Sequence, residues 1–562
     1  MDKAIVDQSF EQAQENVSDF VEWDYSKVSD LQTSGNYSSN QTIFETTTLS
    51  NNGKITDYKN GFFTIPIVDV VTGENGGNPV DFTAAHIKES DLLLCRKNSS
   101  LNMIDSVSIQ YQNQAGIQET RNINQYLIFK QHSEMSLDDE YVNGPTIGYA
   151  KDTSDSWSYD EANGLMNNNN AMNHLNGIDY INKCNKGMYE RQQVFNKVVD
   201  TLNESKRNLV VGNNEKIKEM NRSYVVNTAT YKAYYHNAII RLKDLSSIFE
   251  KSPPMKGGLF KITINFNQCI FKVTKTDNNT MSFSPADFNG RGTNPLMVCS
   301  SGYQTLFGGA NNSAISDDVY CGGYTIPDGT VLTISSNIAK PQFYPHNTLN
   351  VTPCKEQNCF LHIPSYTMKP ALQKRYLESP QQQLIYNDVV LFQIFNKSNQ
   401  VNELITNGLS HVKRMIICPF ISSGANGTNQ IHPFQSPFTC EPGTCSPYAI
   451  QNFQVKVSSV NLYPNQINYS YDMFMRELNG KYGVNFNLTT GLCSSRINLK
   501  DFINTYGYIV VDLKRKHTDD ESVPLSIQLE CNITSPKPLD FNIFIEQEKS
   551  FGIEVATGKR VD

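Results

Sequence analysis

Alternation of apolar and polar side chains is the feature that most constrains the fold of this chain. From Val523 to Ile533 every odd-numbered residue is apolar, and from Phe260 to Phe266 every even-numbered residue is. Because successive side chains of a β-strand point to opposite faces, this period of two predicts strands with one buried and one solvated face. The same period occurs at 107–111 and 453–457. Uninterrupted apolar runs at 389–394 and 508–513 predict strands that are buried on both faces.

The composition agrees with a folded β-rich protein. Hydrophobic residues make up 39% and charged residues 19% of the 562-residue chain, which excludes a disordered class. Tyr (28) and Phe (29) are abundant, and aromatic residues favour strands. The length predicts more than one domain, and two large β domains fit it as well as four small ones.

Helical patterns are few. Residues 9–22 could form a short acidic helix, and 189–205 and 230–250 carry apolar residues at helical spacing. Pro253 and Pro254 end the last of these, since proline cannot continue a helix. We therefore expect a linking helix there, followed by the start of a second β-rich half at 251.

The predicted organisation has an N-terminal arm and two β-rich halves with long insertions. Polar, Gly/Asn-rich stretches mark the insertions, because loops of that length are uncommon within compact domains. The predicted ranges are 1–40 for the arm, 41–250 for the first half with an insertion at about 142–205, and 251–562 for the second half with insertions at about 276–347 and 422–448.

The charge balance argues against binding of nucleic acid. The net charge is -8, and the first 30 residues hold eight acids and two lysines. Proteins that bind nucleic acid through their surface carry a basic patch, and none is visible here. We read Lys413-Arg414 and Lys514-Arg515-Lys516 as solvated loop charges, and we expect no direct sequence-specific contact with nucleic acid.

The sequence shows neither an apolar run long enough to span a bilayer nor a secretory signal. The twelve cysteines are spread thinly along the chain, so we predict mostly buried thiols, with Cys269 and Cys531 as examples.

One cysteine cluster leaves three interpretations open. Cys354 and Cys359 form one pair with a four-residue gap, Cys440 and Cys445 form another, and His362 and His432 are near them in sequence. Four thiolates could hold a tetrahedral zinc, each pair could form a disulfide, or all four could be thiols. The sequence does not bring the pairs together, and we predict no metal site.

No catalytic constellation stands out. Nucleophilic catalysis needs a serine or cysteine beside a base, and the nine histidines are scattered without a distinctive acid. The acidic cluster at 138–140 lacks the spacing of a calcium loop and is predicted to be a solvated turn. We expect no catalytic residue, no cofactor and no enzymatic activity.

A series of short motifs, each a strand with a turn, occurs in a recognisable order along the chain. The motifs lie at 41–51, 55–60, 63–67, 101–111, 241–245, 249–257, 361–366, 385–388, 471–474 and 508–513. In this order they resemble those of the double jelly-roll major capsid proteins of polinton-like viruses, Maverick/Polinton elements, adintoviruses and virophages, in the lineage of the adenovirus hexon. A departure is Asp512-Leu-Lys-Arg515, where the family has an ending similar to Asp-Leu-Ser-Arg.

The resemblance implies an all-β fold of two tandem eight-stranded jelly-roll barrels with long loop insertions and a few short helices. It implies a structural capsid protein that forms pseudo-hexameric homotrimeric capsomers in the icosahedral shell of a double-stranded DNA virus. The implied partners are further copies, penton proteins and minor capsid or cement proteins. The implied location is the virion, after assembly inside the host cell, and an internal membrane stays an open question.

Two other functions fit parts of the sequence. The long Asn/Gly-rich loops and many aromatic residues would suit a β-sandwich receptor- or carbohydrate-binding protein, such as a spike or lectin. A β-rich hydrolase would need the catalytic constellation that the sequence lacks.

Overall fold

The coordinates come from a computed structural model. Strands predominate, and none of the described helices is long and apolar enough to cross a bilayer. The structure describes residues 20–31, 37, 40–51, 53–82, 93–112, 118–151, 165–166, 223–227, 229–277, 280–290, 292–299, 327–338, 358–370, 373–374, 378, 381–422, 434–437, 447–480, 497–504, 506–515, 522–535 and 537–561.

Strands β1 to β18 precede residue 370, and strands β19 to β27 follow residue 380. The earlier strands are β1 (Phe20–Ser29), β2 (Gln41–Glu45), β3 (Ile55–Thr56), β4 (Phe62–Asn75), β5 (Asn78–Pro79), β6 (Leu93–Arg96), β7 (Ile104–Tyr111), β8 (Gln118–Arg121), β9 (Leu165–Met166), β10 (Ser223–Asn227), β11 (Lys232–Arg241), β12 (Phe260–Phe266), β13 (Cys269–Asp277), β14 (Thr280–Ser282), β15 (Phe288–Gly290), β16 (Leu296–Cys299), β17 (Val331–Ile338) and β18 (Phe360–Met368). The later strands are β19 (Gln381–Lys397), β20 (Gln400–Leu409), β21 (Val412–Ile421), β22 (Ile450–Val457), β23 (Val460–Asn461), β24 (Ile509–Asp512), β25 (Leu525–Ile533), β26 (Leu539–Glu554) and β27 (Lys559–Val561).

The described helices are short and lie in connections between strands. They are α1 (Ile123–Glu134), α2 (Leu137–Ile147), α3 (Leu242–Leu245), α4 (Ser247–Lys251), α5 (Tyr471–Asn479) and α6 (Leu499–Asn504).

The later strands form two four-stranded antiparallel sheets with a jelly-roll order. One sheet runs β19-β26-β21-β24 and the other runs β20-β25-β22-β23. If the strands are counted one to eight along the chain, these orders are 1-8-3-6 and 2-7-4-5, with the small strand β27 added to the edge of β26. We call this sheet pair the second barrel.

The earlier strands repeat the same order. One sheet contains β1-β18-β4-β11 and the other runs β2-β12-β7-β8, with all of these neighbours antiparallel. Counted along the chain, these eight strands again give 1-8-3-6 and 2-7-4-5. We call this pair the first barrel. The expected all-β fold with two eight-stranded jelly rolls is therefore confirmed, as two successive sets of strands with one topology.

The strand pairing corrects the expected boundary at residue 251. Strand β12 lies between β2 and β7, and β18 lies between β1 and β4, so both complete the first barrel. The change from one barrel to the other falls instead between β18 and β19, at 369–380. The insertion predicted at about 276–347 accordingly lies within the first barrel, where β13 and β17 widen the sheet beside β4. The insertion predicted at 422–448 follows β21, in the second barrel.

Two further expectations are corrected at the ends of the first half. The predicted arm at 1–40 contributes β1, which pairs along its length with β18, and residues 20–22 of the predicted acidic helix belong to this strand. The predicted linking helix at 230–250 is strand β11 followed by the short helices α3 and α4. The described part of the 142–205 insertion contains the end of α2, and the helix predicted at 189–205 lies outside the described residues.

Apolar side chains from facing sheets fill each barrel. The alternation at 525–533 and at 260–266 is confirmed, with every apolar residue of these runs buried and every polar one partly exposed. In the first barrel the rings of Phe44 on β2 and Phe63 on β4 meet across the sheets at 4.8 Å between centroids. At roughly 25 cal/mol for each Å² removed from water, such burial is the main favourable contribution to the stability of both barrels.

Candidate functional site

The junction between the two barrels is joined by many hydrogen bonds, ion pairs and ring contacts among the described residues. Helix α1 belongs to the first barrel and lies against the outer face of the β19-β26-β21-β24 sheet of the second. Nearly all of its residues are buried, polar ones such as Asn124 and Gln131 included. Because two barrels enclose it, α1 carries no single apolar stripe.

Contacts between α1 and β26 combine rings with hydrogen bonds. The hydroxyl of Tyr126 donates to Glu546 Oε1 at 2.9 Å, and the Tyr126 ring lies 6.0 Å from that of Phe544. Asn542 Nδ2 donates to Gln125 Oε1 at 2.9 Å. Asn542, Phe544 and Glu546 occupy every second position of β26, so they lie on one face of this strand, and that face contacts α1.

A charge cluster lies at the same place. The Arg414 guanidinium on β21 bonds Glu546 at 2.5 Å and Glu134 of α1 at 3.1 Å, and it lies 5.5 Å from the centre of the Phe129 ring. Glu546 is nearly fully buried, so its charge depends on this arginine for compensation. Partial desolvation acts to raise the pKa of Glu134, whose side chain is 40% exposed, but Lys130 and Arg414 outweigh it and hold that pKa below its ordinary value. Burial and the neighbouring Glu546 raise the pKa of Tyr126 well above its ordinary value, so this hydroxyl stays protonated as a donor.

Strand β8 of the first barrel meets strand β19 of the second. Thr120 Oγ1 donates to the carbonyl of Val389 at 2.7 Å. On helix α4, Ser247 Oγ accepts from the N–H of Asn387 and donates to its carbonyl, at 2.8 and 3.0 Å. These hydrogen bonds connect β19, the edge strand of the second barrel, to the first barrel.

One end of the junction brings two backbones together. Gly558, in the turn between β26 and β27, has a φ of +65°, and a Cβ added there would lie 2.7 Å from backbone atoms of Gly257 and Gly258. The hydroxyl of Tyr111 donates to the carbonyl of Gly558, and the N–H of Lys256 donates to the carbonyl of Val555 at 3.0 Å. The glycines at 257 and 258 therefore allow a close approach between the barrels.

Loop residues join the two barrels in another region. The fully buried Lys97 donates from Nζ to the carbonyl of Ser436 at 2.5 Å, and the N–H of Asn294 donates to the carbonyl of Phe434 at 2.7 Å. Lys151, which follows α2, pairs with Asp501 of α6. With backbone, charged and aromatic contacts spread along it, the junction holds the barrels in one relative orientation.

The structure corrects two interpretations of charged residues. Arg414 was expected to be a solvated loop charge, but it lies on β21 within the buried cluster. Arg515 is exposed, as expected, and its guanidinium also bonds the buried Glu477 at 2.5 Å. The acidic cluster at 138–140 forms the first turn of α2, capped by Ser136, where Asp139 accepts two hydrogen bonds from Arg241. Acids in this position are favoured by the helix dipole.

The thiol predictions are confirmed for the residues that the structure describes. Cys269 and Cys531 are buried thiols, and burial raises the pKa of each to about 12. Cys359 is also a buried thiol, and its N–H donates to the Tyr37 hydroxyl. Cys354, Cys440, Cys445 and His432 lie outside the described residues, so the three interpretations of this cluster stay open. Within the described ranges, no group of three His, Cys, Asp or Glu side chains is placed to hold a metal ion.

Sequence reasoning missed α1 and therefore the junction. The signal it used for helices was an apolar stripe, which a helix buried on all sides does not have. A search for helix caps would also have given little indication of α1. Asn122 precedes the helix, but its side chain makes no capping hydrogen bond, whereas the side chains of Ser99 and Ser136 cap the neighbouring helical turns.

No protein-family profile and no curated protein matches the sequence. Solved structures do match. A chain from the cryo-electron microscopy structure of the Sputnik virophage is 9% identical, with 97% of this chain and 89% of that chain covered and a TM-score of 0.50. The Faustovirus major capsid protein is 10% identical, over 94% and 90%, with a TM-score of 0.42. A chain of the PBCV-1 virus capsid is 9% identical, over 97% and 98%, with a TM-score of 0.38.

The fold assignment depends on the strand order and on the first of these likenesses. The match to the Sputnik virophage chain covers 97% of this chain, so both barrels lie within the matched region. The chain therefore has a double jelly-roll fold, and it shares its fold with a chain of the Sputnik virophage structure.

Proposed function

We propose that this protein is a structural major capsid protein of an icosahedral double-stranded DNA virus. The observation that carries the proposal is the pair of jelly rolls with identical strand order, joined by an extensively bonded junction in one chain. Three such chains provide six similar barrels around a three-fold axis. A six-lobed unit of this kind can tile a shell, although its chemistry repeats only three times.

The proposal includes the finer points that the sequence resemblance implied. The chain forms homotrimeric, pseudo-hexameric capsomers in the virion, and these are assembled inside the host cell. Neighbouring capsomers, penton proteins and minor capsid or cement proteins are its partners. The likeness to the Sputnik virophage structure supports the resemblance to the virophage and polinton-like group.

A non-enzymatic role is part of the same proposal. At the junction, Tyr126 of the first barrel and Arg414 of the second both bond Glu546, so these side chains hold strands and barrels together. A spike- or lectin-like role would make glycan binding the main activity, and a glycan array with selective binding would favour it over a shell subunit.

Light scattering on the purified, recombinant full-length chain tests the proposal. We expect a species with three times the chain mass of 63.3 kDa, and shell fragments or particles at high concentration. A species that stays at the single-chain mass under every assembly condition would overturn the proposal.

A further inference from the structure

A lysine, an asparagine and a glutamate lie together on three neighbouring strands of the second barrel. Strand β26 lies between β19 and β21 and is antiparallel to both. Asn387 of β19 is directly opposite Glu548 of β26, so their side chains lie on one face of the sheet. Lys413 belongs to β21, on the other side of β26. We call Asn387, Lys413 and Glu548 the amide triad.

Lys413 Nζ contacts both other members of the triad. It donates to Asn387 Oδ1 at 2.9 Å and bonds Glu548 Oε2 at 2.5 Å. The Lys413 and Glu548 side chains are only 22% and 33% exposed. The hydrogen bond from Lys413 holds the pKa of Glu548 below its ordinary value, so this carboxylate is ionised at neutral pH. An amine therefore lies beside both an amide carbonyl and a base that can take its proton.

The backbone on both sides of the triad is held in place. Ser247 Oγ of α4 accepts from the N–H of Asn387 at 2.8 Å and donates to its carbonyl at 3.0 Å. The register of β21 against β26 shifts between Val412 and Arg414, so Lys413 is the extra residue of a β-bulge. A bulge redirects a side chain relative to the regular strand, and here the Lys413 side chain reaches Asn387 across β26. Holding an amine and an amide at this range greatly raises the rate of a reaction between them.

We propose that Lys413 and Asn387 become joined by an isopeptide bond that links β19 to β21 across β26. Glu548 takes a proton from the Lys413 ammonium, and the neutral amine attacks Cγ of Asn387. The bond between Cγ and Nδ2 then breaks, and this nitrogen leaves as ammonium with two protons that came from the lysine. One ammonium group and one primary amide thus give one secondary amide and one ammonium ion, and no oxidant or cofactor is needed.

The bond connects strands of a single chain, so the inference does not depend on the proposed shell function. Its consequence is mechanical. The two strands that flank β26 can no longer separate from each other, and the sheet that faces the first barrel is closed by a covalent link as well as by hydrogen bonds.

Mass spectrometry of the intact, full-length protein tests the inference. After prolonged incubation of the folded protein at neutral pH, we expect a mass lower than that of the sequence by one ammonia. Digestion with trypsin should release one branched peptide that joins the segment containing Asn387 to the segment containing Lys413, and fragmentation of this peptide locates the bond.

Two variants separate the amine from the base. Lys413→Arg keeps the positive charge but has no reactive amine, so both the mass deficit and the branched peptide should disappear. Glu548→Gln keeps the shape of the side chain but removes the base, and the bond should form at least about a hundredfold more slowly. Lys397→Arg is the matched control, because Lys397 also pairs with a glutamate, Glu403, on a neighbouring strand. It should lose ammonia like the natural sequence, and circular dichroism checks that every variant is folded.

Three results would overturn the inference. The first is a natural sequence that keeps its full mass and gives no branched peptide, in which case the triad is an ion pair and a hydrogen bond only. The second is a deficit that persists in Lys413→Arg, since a succinimide at a site such as Asn75-Gly76 also releases ammonia. The third is a Glu548→Gln variant that forms the bond at the natural rate, which would remove the assigned base.

Discussion

The two barrels have the same strand order, but they differ in what covers the outer face of one sheet. This sheet contains β1 in the first barrel and β19 in the second. The outer face of the second barrel buries Asn542, Phe544 and Glu546 beneath helix α1. On the first barrel the corresponding face exposes Trp23 and Tyr25. Polar groups are thus buried on one barrel while aromatic rings are exposed on the other, the reverse of what hydrophobicity alone predicts.

The burial of these two faces within one copy therefore does not follow their hydrophobicity. It follows from which face of which barrel lies against the other barrel. Buried polar groups are tolerated on the second barrel because each has a partner: Glu546 has Arg414 and Tyr126, and Asn542 has Gln125. On the first barrel, Trp23 and Tyr25 are 61% and 44% exposed, and none of the described helices packs over them as α1 packs over β26.

Truncation of one aromatic residue on each barrel should show the largest contrast. Phe544→Ala removes a fully buried ring at the junction and should lower the free energy of unfolding by about 3–5 kcal/mol. Trp23→Ala removes an exposed ring and should change the free energy of unfolding of the single chain by less than about 0.5 kcal/mol. Urea denaturation at a concentration where the chain is monomeric measures both. Equal effects would refute the difference between the faces.

Arg414→Ala should test the charge cluster of the covered face. The change leaves Glu546 buried without its cation, and we expect a loss of about 3 kcal/mol in the free energy of unfolding. Lys374→Ala is the control, because its side chain is 81% exposed beside Glu378, and it should have little effect. A similar loss for both variants would show that the cluster contributes nothing specific.

Gly558→Ala should weaken the end of the junction at which two backbones meet. The left-handed φ and the approach to Gly257 and Gly258 both oppose a side chain there, and we expect a loss of about 1–3 kcal/mol. Gly329→Ala gives the control, since Gly329 also has a left-handed φ, of +79°, but nothing lies within 4 Å of an added Cβ. The excess loss at Gly558 measures the close approach itself.

Acid should produce the smallest effect, through Glu134. Because the folded-state pKa of this carboxyl is lowered, its stabilisation is complete above the unfolded pKa of about 4.3 and is lost as the pH falls through the lower folded value. Glu134→Gln should therefore reduce the free energy of unfolding by at most about 1 kcal/mol at pH 7, since the side chain is partly exposed, and by less at pH 3. A difference between the variant and the natural sequence that stays constant from pH 7 to pH 3 would contradict this assignment.

Period-two patterns predicted individual strands well. The alternating runs at 260–266 and 525–533 are strands with the expected buried faces, and 508–513 is buried as expected for a strand covered on both sides. The run at 389–394 belongs to an edge strand, so Gln393 is exposed and most of its neighbours are only partly buried.

The boundary and the junction could not be read from local patterns. Tyr234 and Ala238 lie four residues apart, and residues at this spacing share a face in a helix and in a strand alike, so the pattern at 230–250 fitted both. Strand pairing between distant segments, such as β2 with β12, decides where the first barrel ends, and a single sequence carries no record of that pairing. The absence of a sequence repeat also concealed the two identical strand orders.

Electron microscopy of the negatively stained, purified assembly tests the central claim most directly. Class averages viewed down the symmetry axis should show six lobes in two alternating kinds, arranged around a three-fold axis. A two-lobed single chain, or a dimer with two-fold symmetry, would contradict the account.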